Sequence, residues 1–135
     1  MVRVFLILVI IFSFNVKAFA DQAGLSTLVT VQNVSFEQCS KLFKIDSENL
    51  FYLTIAAINA NRFKITEIQS KTGYILFNAV NKDFLANVVR IDDKNSILRI
   101  TPVNNLYYFQ PGIVLNIFRY IELNAELKPV VLPQK

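Results

Sequence analysis

No histidine occurs in this chain, which removes the usual general base near neutral pH and the commonest transition-metal ligand. A single cysteine, Cys39, leaves no partner for an intramolecular disulfide and gives zinc almost nothing to bind. The three glycines, Gly24, Gly73 and Gly112, stand too far apart to build a phosphate-cradling loop. Neither the S-x-x-K nor the G-x-S-x-G nucleophile pattern occurs, and Asp92-Asp93 reads as a solvated turn rather than a cation or acid site. The sequence therefore predicts a protein that is not an enzyme and carries no cofactor, no metal and no catalytic residue.

Long apolar runs are also lacking. The longest, Val4 to Phe14, is eleven residues with only Ser13 polar, whereas a membrane-spanning helix needs about 20. Arg3 precedes this run and Ala18-Phe19-Ala20 follows it, the basic start, apolar middle and small-x-small ending of a signal peptide. Cleavage is expected between Ala20 and Asp21. An uncleaved N-terminal anchor is the rival reading, because Lys17 lies close to the cut. The expected location is exported, periplasmic or secreted, with membrane contact only through the signal segment before cleavage.

Once Arg3 and Lys17 are removed with the leader, 12 basic residues face 10 acidic ones without forming a block. That balance gives no electrostatic case for nucleic acid. The remaining chain has an ordinary apolar content and enough residues for one core. The sequon Asn33-Val34-Ser35 matters only where the host glycosylates.

Four segments follow: the leader 1–20, an arm 21–45, a folded domain 46–125 and a loose tail 126–135 with two prolines. In the arm, Leu25 to Val34 reads as a strand or extended stretch. Ser35 and Gln38 form a capping box that opens a short helix in which Phe36, Cys39 and Phe43 share a face. Cys39 reads there as a small buried hydrophobe.

Asp46 or Ser47 caps a longer helix to about Ala60, with Leu50, Phe51, Thr54, Ala57 and Ile58 on one stripe. Four strands are predicted next, at Phe63–Ile68, Tyr74–Val80, Phe84–Asp92 and Ile97–Val103. The links "QSKTG", "NKD" and "DKN" are too short for anything but antiparallel neighbours. Pro111 begins a closing amphipathic helix bearing Ile113, Ile117 and Ile121. The fold class is α+β, a four-stranded antiparallel meander with a long helix before it, a helix after it and a short extra helix near the mature N-terminus.

Both faces of the second and third strands carry apolar residues, so the face away from the helices is expected to need a cover. The candidates are the segment Leu25–Ile45, a second copy, or an apolar partner or ligand, and the chain's own segment is the favoured one. The cluster Tyr107-Tyr108-Phe109, between the last strand and the last helix, is the candidate partner contact. The rival reading has two of these three plugging the core. The Q-x-V-x-G hairpin of cystatin-like inhibitors has no counterpart.

The run "LTIAAINANRFKITEI" (Leu53 to Ile68), leading into "TGYILF" and later "ILRITP", resembles small exported bacterial envelope domains. It is also similar in topology to the domains of the lipoprotein C subunit of the β-barrel assembly machine. That resemblance spans Leu50 to Ile121 and implies a fold and an envelope setting. It transfers no functional residue, and the lipid-bearing cysteine of that lipoprotein is missing here. The expected function is a non-enzymatic interaction module of the envelope or extracellular space, working through a protein partner or self-association. The alternative is a carrier of an apolar ligand held between sheet and helices.

Overall fold

The computed structural model describes residues 28–125. The Ala20–Asp21 cleavage site and the 126–135 tail lie outside the described residues. Among those described, no helix is long and apolar enough to cross a membrane.

Helix α1, Ser47–Ala60, begins where Asp46 accepts a hydrogen bond from the Asn49 backbone N–H at 3.1 Å. That bond to the ionised form holds the Asp46 carboxyl below its ordinary pKa. The predicted stripe is the buried one: Leu50, Phe51, Thr54, Ala57 and Ile58 all face inward. Thr54, fully enclosed, satisfies its hydroxyl by donating to the Leu50 carbonyl at 2.7 Å.

Strands β3 (Lys64–Gln69), β4 (Tyr74–Ala79), β5 (Lys82–Arg90) and β6 (Ser96–Pro102) pair antiparallel in sequence order. Gly73 ends the first link at φ +73°, and a Cβ there would stand 3.0 Å from the Val88 carbonyl oxygen, so glycine is required. Helix α2, Gly112–Asn124, follows Pro111 and buries Ile113, Val114, Ile117, Phe118 and Ile121.

The sheet has five strands, which corrects the expected count of four. The eight residues after Ser35 do not continue as a helix. Glu37–Cys39 forms one 3-10 turn, and Ser40–Phe43 is a strand, β2, paired antiparallel with β6, giving the order β2-β6-β5-β4-β3. Two further short strands, β1 (Gln32–Asn33) and β7 (Tyr108–Phe109), pair with each other outside this sheet.

The "NKD" link is corrected too. Ala79 pairs with Lys82, so the turn is Val80-Asn81, with φ of 50° and 61°. Two central residues at positive φ form a type I′ turn, for which Asn and Gly are suited and a β-branched residue is not. Replacing the pair with Asn-Gly (Val80→Asn with Asn81→Gly) is expected to add about 1–2 kcal/mol. A thermal melt should then rise by roughly 5–10 °C, and an unchanged or lower melt contradicts the strain assigned to Val80.

Both helices cover one face of the sheet, where Ile75, Phe77, Ala79, Phe84, Ala86, Leu98 and Ile100 point inward. Phe118 of α2 meets Phe43 of β2 edge-on at 6.0 Å, and Lys41 pairs with Glu122, which sets α2 over the β2 side.

Among the described residues, the arm from Leu28 to Ile45 does not cover the other face, contrary to the favoured expectation. The arm lengthens the sheet sideways as β2, and Phe36 reaches back over Arg99, 5.4 Å from its guanidinium, and against the Tyr107 ring. Tyr74, Leu76, Leu85, Val89 and Ile97 on that face stay half-buried and Leu42 of β2, opposite Ile97, is exposed there, interleaved in register with Asn78, Asp83, Asn87, Arg99 and Thr101. Their apolar area is broken by amides and charges, so the face is half wetted and calls for no lid.

Candidate functional site

Alternation of strand direction puts the β4–β5 turn, the start of β2 and the end of β6 at one end of the molecule, here called the hairpin end. The β3–β4 and β5–β6 turns and the start of α1 lie at the opposite end. The candidate aromatic cluster sits at the hairpin end, and the structure splits it. Phe109 is buried edge-on against Phe84 at 5.1 Å. Tyr107 is half-buried with its ring edge-on to Phe36 at 6.1 Å, and burial pushes its phenol pKa up. Tyr108, between them on the short strand β7, points the other way and is 58% exposed. Two of the three aromatics thus serve the core, and one is free for contact.

Sequence reasoning missed what surrounds Tyr108. Leu106 is 62% exposed and Val80 58%, and Val103, just past the end of β6, is exposed as well. Lys82 binds these loops together. From the start of β5 its ammonium donates to the Leu106 carbonyl at 2.8 Å and the Tyr108 carbonyl at 3.4 Å, and lies 5.7 Å from the Phe109 ring centroid. The Val103 N–H donates to the Asp83 carbonyl at 3.0 Å.

The loop itself is shaped by asparagines. Asn105 adopts φ 60°, and the Asn104 side chain accepts from the Leu106 N–H at 3.0 Å. The lone leucine in "NNLYY" was the available signal, since a leucine after two turn-forming asparagines has no helix or strand face to occupy.

The arm closes the site from the other side. Gln32 and Asn33 pair with Phe109 and Tyr108, the Val34 N–H donates to the Tyr107 carbonyl at 2.9 Å, and Val31 is left exposed beside them. Asn33, the sequon residue, is exposed in this ribbon. Gly112 lets the arm approach α2, since a Cβ there would stand 2.8 Å from the Leu28 carbonyl oxygen. The segments 28–36 and 103–118, which build most of this end, contain no charged residue.

The opposite end is charged. A cleft of about 370 Å³ opens there between the start of α1 and the β3–β4 turn, lined by Glu48, Tyr52, Lys71 and Arg90 among others. Arg90 is engaged with Asp93, and the cleft groups are of mixed sign. Asp92 caps its own turn, accepting from the Lys94 N–H at 2.8 Å and the Asn95 amide at 2.9 Å, which lowers its pKa. Asp83, Glu67 and Glu122 are exposed and lie on separate elements, engaged respectively with Asn78, Gln69 and Lys41. Among the described residues, no three His, Cys, Asp or Glu side chains gather as a metal site would require.

Cys39 is fully buried, and burial raises its thiol to about 11. A thiol so placed is a packing group, since the thiolate is the reactive form. No protein-family model matches the chain, and a search of curated proteins finds no relative.

Proposed function

We propose that the protein is an exported, non-enzymatic interaction module of the cell envelope or extracellular space that works by contact through its hairpin end. The observation carrying this reading is the exposed group Val80, Val103, Leu106 and Tyr108, held on two loops whose backbone is fixed by Lys82. Apolar side chains on a braced loop offer contact area at low entropic cost. The sheet-face version of the contact loses its support, because that face is broken by polar groups. The layer between sheet and helices is filled by Phe77, Phe84, Leu50, Ile58 and Ile117, which favours contact over carriage of a ligand there.

Replacing Leu106→Asn and Tyr108→Asn together is expected to leave the thermal melt almost unchanged, since exposed positions typically matter by about 0.5 kcal/mol or less. Retention in the envelope fraction of the host should fall about tenfold or more, as loss of contact hot spots predicts. Equal retention of variant and parent would contradict the reading.

A further inference from the structure

We infer that the surface met by the hairpin end is a lipid bilayer carrying anionic headgroups. This rests on the reading above that this end is the contact surface, and it names the partner.

The exposed groups are aliphatic side chains with one tyrosine, set on loop tips rather than in a groove. Such tips suit a fluid interface, in which apolar groups bury and a tyrosine sits at headgroup depth. Val80 adds an independent sign. An exposed β-branched residue stands at positive φ, where Asn or Gly would relieve the turn, so the tip presents an apolar side chain at a local conformational cost.

The charges at this end are arranged for the same partner. Val103, Leu106 and Tyr108 lie on an uncharged segment, the Val80 turn runs into Lys82 and Asp83, and Arg62 and Lys64 stand at the start of β3, beside the Asn78 end of β4. Neither cation is in an ion pair; among the described residues those are Lys41–Glu122 and Arg90–Asp93. Lys82 adds a third positive charge, against the carboxylates of Asp83 and Glu37. Each exposed basic group near an anionic leaflet strengthens binding about fivefold.

The chain also enters the described domain at this end, through Leu28 against Gly112. Thirteen residues, Asn15 to Thr27, separate Leu28 from the apolar run Val4–Phe14, a reach of at most about 45 Å.

The absence of tryptophan makes a direct test available. Leu106→Trp places a probe at the hairpin end and Ile91→Trp places one at an exposed position of the opposite end. Full-length proteins purified from the host, with melts matching the parent, are mixed with vesicles of phosphatidylethanolamine and phosphatidylglycerol or of phosphatidylcholine alone. Emission of the Leu106→Trp protein should shift to the blue and be quenched by brominated acyl chains, more with phosphatidylglycerol and less in high salt. The Ile91→Trp protein should be unchanged. Adding Arg62→Gln and Lys64→Gln should weaken the phosphatidylglycerol response about tenfold or more.

No shift for Leu106→Trp in any vesicle, or equal quenching of both probes, overturns the inference. A shift that depends on protein concentration without vesicles assigns this end to a second copy; the contact reading then survives and the lipid one falls. No response to vesicles or concentration, together with unchanged envelope retention of the Leu106→Asn, Tyr108→Asn protein, removes both.

Discussion

Phe77→Ala should be the most damaging single truncation in the domain, costing about 3–5 kcal/mol. Phe77 is fully buried and its ring is stacked between Phe63 at 6.0 Å and Phe84 at 5.5 Å, with interplanar angles of 16° and 19°. Phe84 in turn meets Phe109 edge-on, so four rings run in series from the end of α1 to the start of α2. Removing the second ring opens a void that its neighbours, fixed on β4, β5 and the packed helices, have little freedom to fill. A domain of this size is stable by about 5–15 kcal/mol in total. Urea denaturation followed by circular dichroism should therefore show a large fall in midpoint or no folded baseline. A loss below about 1 kcal/mol would show that the ring series does not hold the two layers together.

The second large effect concerns Cys39. Cys39 ends the 3-10 turn just before β2 with its thiol fully buried in the core, and burial raises its pKa to about 11. Alkylation of the native protein must wait for an opening, so it should run about a thousandfold or more slower than in urea. Labelling followed by mass spectrometry measures this directly. A native rate within about tenfold of the unfolded one would mean that residues 28–45 detach independently of the core, and the five-stranded sheet would lose its edge. Slow labelling would equally establish that the protein presents no reactive thiol.

Much of this architecture is legible from residue order, and the exceptions share a cause. The α1 stripe, the antiparallel links and the Pro111 start of α2 are local patterns, readable because each depends on neighbours within a turn or a hairpin. The stretch after Ser35 is different. Its capping box does form: Ser35 Oγ accepts from the Gln38 N–H at 3.3 Å and the Ser35 N–H donates to Gln38 Oε1 at 3.0 Å. The helix stops after one turn because Ser40 to Phe43 find partners on the open edge of β6, far away in the chain, with Phe43 opposite Ser96 and Ser40 opposite Arg99. Long-range pairing outweighed a correct local signal.

The same holds for the sheet face and the site. Leu76 and Leu85 read as apolar on their strands, but Asn78 shares the face of Leu76 on β4, Asp83 and Asn87 share that of Leu85 on β5, and register adds Arg99 of β6 beside Asn87. Tyr107 to Phe109 is legible as an aromatic cluster. Which one faces outward depends on the pairing of β7 with β1, and the company of Val80 and Leu106 depends on Lys82 spanning two loops. Contact surfaces assembled from loop tips carry no period, so sequence patterning passes over them.

The proposed function requires above all that the hairpin end be in contact with something in the living cell. Photo-crosslinking tests this most directly, with benzoylphenylalanine replacing Tyr108 in one strain and the exposed Tyr52 of α1 in another. Adducts are expected from position 108, with lipid mass if the bilayer is the partner, and none from position 52. Adducts from neither position, or from both alike, would contradict a contact role for this end.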